Sequence, residues 1–427
     1  MDNRYRNAGL LVSLLCLFIL SGCSRINTVV NYPADMQDSK ICLTFFGNKY
    51  ETENVTVIEE IISGFMQENP GVHVSYESLK GSAYYDALGK RIRAGKGDDI
   101  FMVNHDMVLE LKAGNRLLDL SGLDVISGYT ERMREQMEEE DGSIFWVPTT
   151  ISVFGLYCNM DLLKQHGQAV PENLSQFKEV CSYFVEQGIT PVIANNDISL
   201  KTVAIGRGFR HLYQDNRQQE VFGRINRGEE SLGQYLRPGF VLVRDLIDSG
   251  YVDAASALVT NKTSDDLKIF AEGNSPFMLT GAWAVALLKG LHPDFEFQIV
   301  PYPIMDDGVV AVINADTRLG INADSRYPEE AKAFVEYFTR PENILKFADQ
   351  QASFSPLQEG HPSAVEEIQP LIPCYQSGRV VIGSDGNLEL PVWELTREVS
   401  EQLLEGKSLD EAMDWMDYQA EEAYGIE

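Results

Sequence analysis

The sequence is poor in cysteine and histidine, with six residues of each among 427. Beyond residue 40 the cysteines are Cys42, Cys158, Cys181 and Cys374, which lie far apart, with no CxxC pair and no histidine at metal-binding spacing. This pattern argues against a zinc site. Cys42 and Cys158 lie in apolar, strand-like runs, so we expect them to act as small buried residues. An exported protein could form a disulfide, but we do not predict one.

Basic residues are also scarce. Lysine and arginine total 35 against 64 aspartates and glutamates, so the formal net charge is −29. Because nucleic acids and anionic membrane surfaces would repel such a chain, we expect neither as a partner. The same charge disfavours a highly anionic ligand, unless a local basic pocket overrides it.

The N-terminal apolar run, Ala8–Leu20, is shorter than the roughly 20 residues that span a bilayer. Arg4 and Arg6 precede it and small residues follow it, which is the layout of a secretory signal peptide. The run ends in "LSGC", which resembles the bacterial lipobox, where the chain is cut before an acylated cysteine. The resemblance implies that residues 1–22 are a signal peptide and that a lipid on Cys23 anchors the protein to the extracellular face of the membrane. The alternative is an ordinary signal peptide with a chance cysteine.

The chain beyond the N-terminal run divides into a linker and a large folded part. Residues 23–40 are polar with little periodicity, which predicts a flexible linker, and the folded part should begin near Ile41. The remainder is longer than the roughly 250–300 residues that one core supports, so we expect two domains. An apolar content of 44% and an aromatic content of 10% are sufficient for both cores.

The first part of the folded chain alternates strand and helix patterns. Apolar or alternating runs predict strands at "KICLTFFGN", "VHVSYESL" and "IFMVN". Between them, "ENVTVIEEIISGFMQENPG" and "AYYDALGKRIRAGKGDD" have helical spacing and end at Asn-Pro-Gly or at glycines. This order predicts a parallel sheet with helices on both faces.

The rest of the chain mixes strands with longer helical stretches. Residues 145–159 form a strand-rich run that we expect Pro148 to break. The stretch "FEFQIVPYPIMDDGVVAVINADTRLGIN" predicts two strands with a proline-bounded crossover between them. Residues 200–290 and the C-terminal hundred or so residues read as mostly helical, and "GNSPFMLTGAW" reads as a strand that turns into a helix at Trp283.

Six stretches together carry a resemblance to a known family. They are "LTFFGN", "FMQENPGVHVSYESL", "GKGDDIFMVNHD", "VPTTISVFGLYCNMDLLKQHG", "FAEGNSPFMLTGAW" and "LGINADSRYPEEAKAFVEYFTRPENILKFAD". In this order they resemble the family 1 extracellular solute-binding proteins of ABC importers, which include maltose-binding and other sugar-binding proteins. The likeness covers nearly the whole chain after the linker. Asp98 departs from it, since the family usually has proline there, and "INADTRLG" lacks the glycine-rich loop of many members.

The resemblance implies an α/β, two-lobe periplasmic-binding-protein-like fold with hinge strands and a central ligand cleft. Lobe 1 would comprise residues 41–147 plus 304–343, and lobe 2 residues 148–303 plus 344–427. Parallel α/β sheets bind ligands at the carboxyl ends of their strands, and hinge closure buries a small ligand. The implied function is capture of a carbohydrate by a monomer and its delivery to the permease subunits of an ABC importer, without a cofactor, a metal or catalysis.

Sugars present apolar C–H faces and a rim of hydroxyl groups, so their sites pair flat aromatic rings with hydrogen-bonding side chains. The candidates are aromatic residues that the resemblance places at the cleft and polar residues at strand ends or crossovers: Trp283, Trp393, Asn48, Ser82, Tyr85, Asn104, Asp106, Ser152 and Asp316. Structural alternatives exist, because a tryptophan can pack in a core and Asp106 can cap a helix. Trp146 could stack on a ligand or brace the hinge, and we expect His105 to be incidental.

The remaining residues indicate the class of ligand, and two alternative functions stay open. Basic residues near the proposed cleft are few (Lys80 and Arg318), which favours a neutral sugar, and several aromatic residues favour an oligosaccharide. One rival is a surface receptor or sensor with the same fold. The other is a lipid-anchored glycosidase, which needs two carboxylates about 5–10 Å apart, but no catalytic motif such as HExxH is present. Tyr84 and Tyr85 do not predict an iron site, because adjacent residues do not face one point.

Overall fold

The computed structural model describes residues 41–423, and ten strands of this segment form one connected sheet. The strand order is β2-β1-β3-β9-β4-β6-β5, with β7 paired to β4 and both β8 and β10 paired to β9. The strands are β1 (Ile41–Gly47), β2 (Val72–Ser78), β3 (Ile100–Val103), β4 (Val147–Asn159), β5 (Val192–Ile193), β6 (Phe277–Gly281), β7 (Phe297–Val300), β8 (Tyr302–Met305), β9 (Gly308–Ile321) and β10 (Val380–Ile382).

Helices cover the sheet and connect most of its strands. They are α1 (Thr52–Glu68), α2 (Ser82–Arg93), α3 (His105–Ala113), α4 (Glu131–Met137), α5 (Met160–Gln165), α6 (Leu174–Glu186), α7 (Ser199–Gln214), α8 (Gln218–Asn226), α9 (Leu232–Asp248), α10 (Ala254–Val259), α11 (Asp265–Ala271), α12 (Ala284–Gly290), α13 (Pro328–Phe338), α14 (Pro341–Gln350), α15 (Ile372–Gln376), α16 (Val392–Leu404) and α17 (Leu409–Ala423). Among residues 41–423, none of the helices is long and apolar enough to cross a bilayer.

The predicted β-α-β-α-β start of the fold is confirmed. Strand β1 pairs in parallel with β2, from Ile41 opposite Val72 onward, and in parallel with β3. Helix α1 buries the apolar stripe that its sequence spacing predicted, including Ile61, Ile62 and Phe65. The carboxyl ends of three parallel strands therefore lie at one edge of the sheet.

Two long antiparallel strands join this parallel part to the rest of the sheet. Strand β4 pairs with β9 from Val147 opposite Leu319 to Phe154 opposite Val312. Strand β9 also pairs with β3, and β4 also pairs with β6 and β7, all in antiparallel orientation. The predicted break at Pro148 is wrong. This proline is the second residue of β4, near the strand start, where a missing N–H is tolerated.

The stretch from Phe297 to Ile321 contains three strands, so the prediction of two strands with a crossover is wrong. Strands β8 and β9 form a hairpin, in which Met305 pairs with Gly308 across a two-residue turn. Gly308 has a φ of 136°, which an L side chain rarely adopts. The short acidic turn followed by glycine is therefore a hairpin signal that the strand pattern alone did not reveal.

The two predicted lobes, 41–147 plus 304–343 and 148–303 plus 344–427, remain predictions. The packing of α14 favours a larger first lobe, because this helix lies on α1. Arg340 donates to Glu68 at 3.0 Å, and Gln351, just after α14, donates to Asn54. Phe347, on α14, is fully buried and contacts Phe338 of α13 at a centroid distance of 5.5 Å. We therefore infer that the first lobe extends past residue 344.

The four cysteines of the described segment carry free thiols. Cys158, Cys181 and Cys374 are buried, as expected of small apolar side chains. Cys42 is exposed, so the expectation of burial is wrong for this residue. It shares one face of β1 with the exposed Thr44, and that face lies open to solvent at the start of the strand.

The close crossing of α7 and α9 yields a stability prediction. A Cβ on Gly239 would collide with the backbone carbonyl of Ala204, which cannot turn aside. We therefore expect Gly239→Ala to lower the free energy of unfolding by about 2–3 kcal/mol. Urea unfolding followed by circular dichroism measures this change.

Gly223, also within a helix, provides the matched control. Its nearest contact would be the mobile end of Arg227, at 3.4 Å. Gly223→Ala should therefore leave stability unchanged or raise it by roughly 0.5–1 kcal/mol. Equal losses in the two variants would contradict the observed helix crossing.

Candidate functional site

A cavity of about 530 Å³ lies where the strand ends meet, and we call it the central cavity. Residues that follow β2, β3 and β6 reach it from one side, and the middles of β4 and β9 form its floor. All but one of the predicted ligand residues line it, namely Ser82, Tyr85, Asn104, Asp106, Ser152, Trp283, Asp316 and Trp393. The meeting of these strand ends therefore brings together side chains that are far apart in the sequence.

Asn48 does not line the cavity and instead supports a residue that does. Its Nδ2 donates to the hydroxyl of Tyr85 at 3.1 Å, and its Oδ1 is buried with no partner in the described part of the chain. Tyr84 points away from the cavity, and its hydroxyl donates to the carbonyls of Phe46 and Met102. The adjacent tyrosines thus have separate roles, because one locks strands together and the other faces the cavity.

Three aromatic rings form one wall of the central cavity. Phe154 on β4 contacts Trp283 edge-on at a centroid distance of 5.1 Å and Trp393 at 5.3 Å. The position of each tryptophan ring requires a glycine beside it in space. A Cβ on Gly281 would overlap the Trp283 ring, and one on Gly383 would lie 2.7 Å from the Trp393 ring. These two glycines therefore set where the aromatic wall stands.

Asn104 and Asp106 both line the cavity, but only Asn104 also caps the helix that follows. The helix cap is Asn104, whose side chain accepts from the backbone N–H of Met107 at 2.9 Å. The side chain of Asp106 lines the cavity, and its Oδ1 is buried without a hydrogen-bond partner in residues 41–423. Burial, reinforced by the nearby Glu394, raises the pKa of Asp106 to about 6. A carboxylate in this state gains a partner when a ligand hydroxyl donates to it.

Ser152 and Asp316 form a hydrogen-bonded pair across β4 and β9. The hydroxyl of Ser152 donates to Oδ2 of Asp316 at 2.5 Å. Burial would raise the pKa of Asp316, but the charge of Lys49 and the Ser152 hydrogen bond hold it below its ordinary value. Asp316 therefore stays ionised in the floor of the central cavity.

Arg318 lies in the same floor and is 1% exposed. Its guanidinium stacks on Trp146 at 4.1 Å, donates to the carbonyls of Ala315 and Ser384, and leaves Nη1 buried without a partner among the described side chains. Burial lowers its pKa to about 10, so it remains protonated at neutral pH. Trp146 thus braces Arg318 and is not itself part of the cavity lining.

Sequence reasoning missed a charged group that α7 carries into the cavity. Lys201 is 1% exposed, pairs with Asp197 at 2.6 Å, and lies 4.4 Å over the ring of Trp393. Lys262 also pairs with Asp197. Burial lowers the pKa of Lys201 to about 8, and the Asp197 charge opposes that shift. The i,i+4 spacing of Asp197 and Lys201 was the one signal in the sequence, but it is typical of any helix surface.

The expectation that few basic residues stand near the cleft is wrong. Four cationic side chains line the central cavity, balanced by four acidic ones: Lys201, Lys262, Arg318 and Arg397, with Asp106, Asp197, Asp316 and Glu394. Lys80, the other basic residue expected there, is not among the lining residues. The lining is therefore richly charged but carries no net charge.

His105 also lines the cavity, although its contacts are structural. Its Nε2 lies 2.9 Å from the carbonyl of Leu388 and 3.3 Å from that of Leu390. Burial lowers the pKa of His105 to about 3, so the ring is neutral and ties α3 to the segment before α16. In the described ranges, no group of histidine, cysteine or acidic side chains is arranged to hold a metal ion.

Comparison with known proteins places the chain in a family. A profile of the bacterial extracellular solute-binding proteins matches residues 48–344. The chain belongs to this family. It is 23% identical over 383 residues to a multiple sugar-binding protein of Streptococcus mutans, covering 86% of this chain and 84% of that one.

Solved structures show the fold of this solute-binding protein. The ligand-free form of RafE from Streptococcus pneumoniae has a TM-score of 0.71 at 20% identity, over 92% of this chain and 100% of that one. A sugar transporter from Bacillus licheniformis, in complex with stachyose, has a TM-score of 0.64 at 17% identity, over 90% and 100% of the two chains. The predicted two-lobe α/β fold with a central cleft is confirmed.

The raised pKa of Asp106 predicts a pH-dependent stability difference in this solute-binding protein. Because the folded-state pKa is about 6, above the ordinary 3.8, folding takes up a proton between these values, and ionised Asp106 destabilises the fold above pH 6. Asp106→Asn should therefore be more stable than the wild type at pH 8, by about 2 kcal/mol, with a difference that shrinks towards pH 4.

Ligand-free urea unfolding at pH 8 and pH 4.5 measures this difference. Asp86→Asn, at an exposed position on α2, is the control and should stay within about 0.5 kcal/mol of the wild type. A loss of stability in Asp106→Asn at pH 8 would show that the ionised carboxylate has a favourable partner in the free protein.

Proposed function

We propose that this chain is the substrate-binding lipoprotein of an ABC importer and that it captures a neutral oligosaccharide in the central cavity. The observation that carries the proposal is the pairing of an aromatic wall with unpartnered polar atoms. Trp283 and Trp393 offer faces for the C–H surface of a sugar. Asp106 Oδ1 and Arg318 Nη1 supply one unpartnered acceptor and one unpartnered donor in the described structure.

The charge balance of the cavity supports a neutral ligand. Its acidic and basic side chains largely satisfy one another, as in the Asp197–Lys201 pair at 2.6 Å. An anionic or cationic solute would have to displace such pairs at a high desolvation cost. Hydroxyl groups, which donate and accept, can bind to these side chains without breaking the pairs.

The size of the cavity favours an oligosaccharide. Its volume of about 530 Å³ lies within the range of small-molecule sites, which is roughly 300–1,000 Å³. Sugar-binding names among the relatives, one of them solved with stachyose, agree with this class of ligand. Closure of the two lobes would bury the sugar. Because the ligand would bind the closed state more tightly, it would raise the population of that state.

Delivery to a permease and anchoring through Cys23 complete the proposal. Residues 1–40, with the predicted signal peptide, lipidated cysteine and linker, lie outside the described segment. A lipid at Cys23 would hold a monomeric receptor beside its transporter on the extracellular side of the membrane. A sensor with the same fold is the first alternative. It would have the same sugar site but would dock on a different partner protein.

A glycosidase is the second alternative, and one observation bears on it. Asp106, with a pKa of about 6, shares the cavity with Glu394, as an acid and a second carboxylate would. However, the Nε–H of Arg397 is shared between both carboxylate oxygens of Glu394, at 3.0 and 3.1 Å, which commits Glu394 to an ion pair. We therefore propose binding without hydrolysis.

Sugar binding should depend on the aromatic wall. In calorimetric titration of neutral mono- and oligosaccharides, the wild type should bind one sugar class at a single site. Trp283→Ala should weaken that binding by at least about tenfold, because stacking contact with the sugar is lost. Trp415→Ala, on the half-buried face of α17 outside the cavity, is the matched control and should leave the dissociation constant unchanged.

Three results would contradict the proposal. Binding of only anionic solutes or ferric iron would exclude a neutral sugar as ligand. Equal effects of Trp283→Ala and Trp415→Ala would place the sugar outside the central cavity. Chromatography of the sugar after incubation should recover it intact, and the appearance of shorter sugars would favour the glycosidase.

The lipid anchor is tested in cells that produce the full-length chain. Wild-type protein should incorporate labelled fatty acid and sediment with membranes, while Cys23→Ser should incorporate none and should lose the lipid-dependent attachment. Cys16→Ser, within the N-terminal apolar run, is the control and should behave as the wild type. Equal labelling of the Cys23→Ser variant would contradict lipidation at this residue.

A further inference from the structure

A second cavity, of about 850 Å³, lies apart from the central cavity, and we call it the Arg210 cavity. It is enclosed by α4, the end of α7, the start of α8, α15 and β10. A short segment after β10 separates the two cavities. Ser384 lines the central cavity, whereas the next residue, Asp385, accepts hydrogen bonds from Gln136 and Tyr213 in the wall of the Arg210 cavity.

Arg210 is the unusual group in this second cavity. It lines the cavity, is 6% exposed, and keeps Nε and Nη1 buried without a hydrogen-bond partner anywhere in residues 41–423. Acidic residues outnumber basic ones in this chain by 64 to 35, so an unpaired buried arginine is not a consequence of composition. A buried charge without a counter-ion is costly, and a bound anion would remove that cost.

No carboxylate of the described chain forms an ion pair with Arg210. Asp307, whose charge acts most strongly on Arg210 among the carboxylates, is held by Arg379 through contacts of 3.1 and 3.3 Å. Burial and, next, the charge of Arg379 lower the pKa of Arg210. The charges of Asp307 and Asp215 act on Arg210 in the opposite direction, but neither carboxylate forms an ion pair with it in residues 41–423, so its guanidinium is free to bind an oxyanion.

The rest of the lining indicates what else the ligand carries. Gln218 Oε1 is buried without a donor among the described residues, so the cavity contains an unused acceptor as well as an unused cation. A hydroxyl group donates to such an acceptor. Glu131, Arg132 and Glu135 also line the cavity and together carry one net negative charge, which disfavours a ligand with more than one anionic group.

We propose that the Arg210 cavity binds a small hydroxylated molecule with one carboxylate or phosphate group. The oxyanion accepts hydrogen bonds from the guanidinium of Arg210, and a hydroxyl donates to Oε1 of Gln218. Arginine suits this role because its planar fork matches both carboxylate and phosphate oxygens. This site is separate from the proposed sugar site and does not depend on it.

The test is calorimetric titration of the full-length protein in mild detergent and Tris chloride. The probes are gluconate, glycerol 3-phosphate and, as the uncharged counterpart of gluconate, sorbitol. We expect saturable one-site binding of gluconate, glycerol 3-phosphate or both, and none of sorbitol. The better of the two anions assigns carboxylate or phosphate as the natural group. Affinities weaker than about 10 mM for both anions, or equal binding of sorbitol, would overturn the proposal.

Variants locate the binding. Arg210→Gln should weaken anion binding at least about tenfold, and Arg210→Lys, which keeps the charge but not the fork, should fall between it and the wild type. Arg217→Gln removes the same charge at an exposed position outside the lining and should bind as the wild type does. Trp283→Ala should also retain the anion, since its change lies in the central cavity.

Two outcomes of the variant series would overturn the site. Unchanged anion binding in Arg210→Gln would place the anion elsewhere, and its loss in Trp283→Ala would place it in the central cavity. Thermal unfolding without anion checks folding. Arg210→Gln should unfold at the same or a higher temperature than the wild type, because it removes an unpaired buried charge. A clear drop would show that Arg210 already has a partner within the protein.

Discussion

The antiparallel pairing of β4 with β9 is the constraint on which the rest of the structure depends. These two strands connect the parallel strands β1–β3 to β6 and β5, so both parts of the sheet share one backbone ladder. Because side chains alternate along a strand, this register places Ser152 opposite Asn314 and brings Asp316 and Arg318 beneath the strand ends. A one-residue slip would turn these polar groups into the cores.

Some of the buried charge in the central cavity has no partner within the described part of the protein. Asp106 Oδ1 and Arg318 Nη1 lack partners among the described residues, and each such group costs about 1–3 kcal/mol. Other charges in the central cavity are paired, as in Asp197 with Lys201. Such a loss of folding free energy is typical of a binding site. A ligand that hydrogen-bonds to both atoms would recover it.

Sequence patterns predicted most of the strands and helices and many of the polar cavity residues, because a strand followed by a polar loop places its side chains at the sheet edge. They did not predict Lys201, Glu394 or Arg397, since these side chains follow no strand end and enter the cavity only through the packing of α7 and α16. Local geometry also decided roles within the predicted set. Asn104 caps a helix, and Asn48 supports Tyr85 from behind the lining. Patterns of apolar and polar residues do not encode such differences.

The most direct test of the account is a crystal structure of the protein with the oligosaccharide that binds most tightly. We predict a sugar ring on Trp283, one hydroxyl donating to Oδ1 of Asp106 and another oxygen accepting from Nη1 of Arg318, with the Asp197–Lys201 pair intact. A sugar bound outside the central cavity would contradict it, as would a sugar that leaves both of these atoms unpartnered.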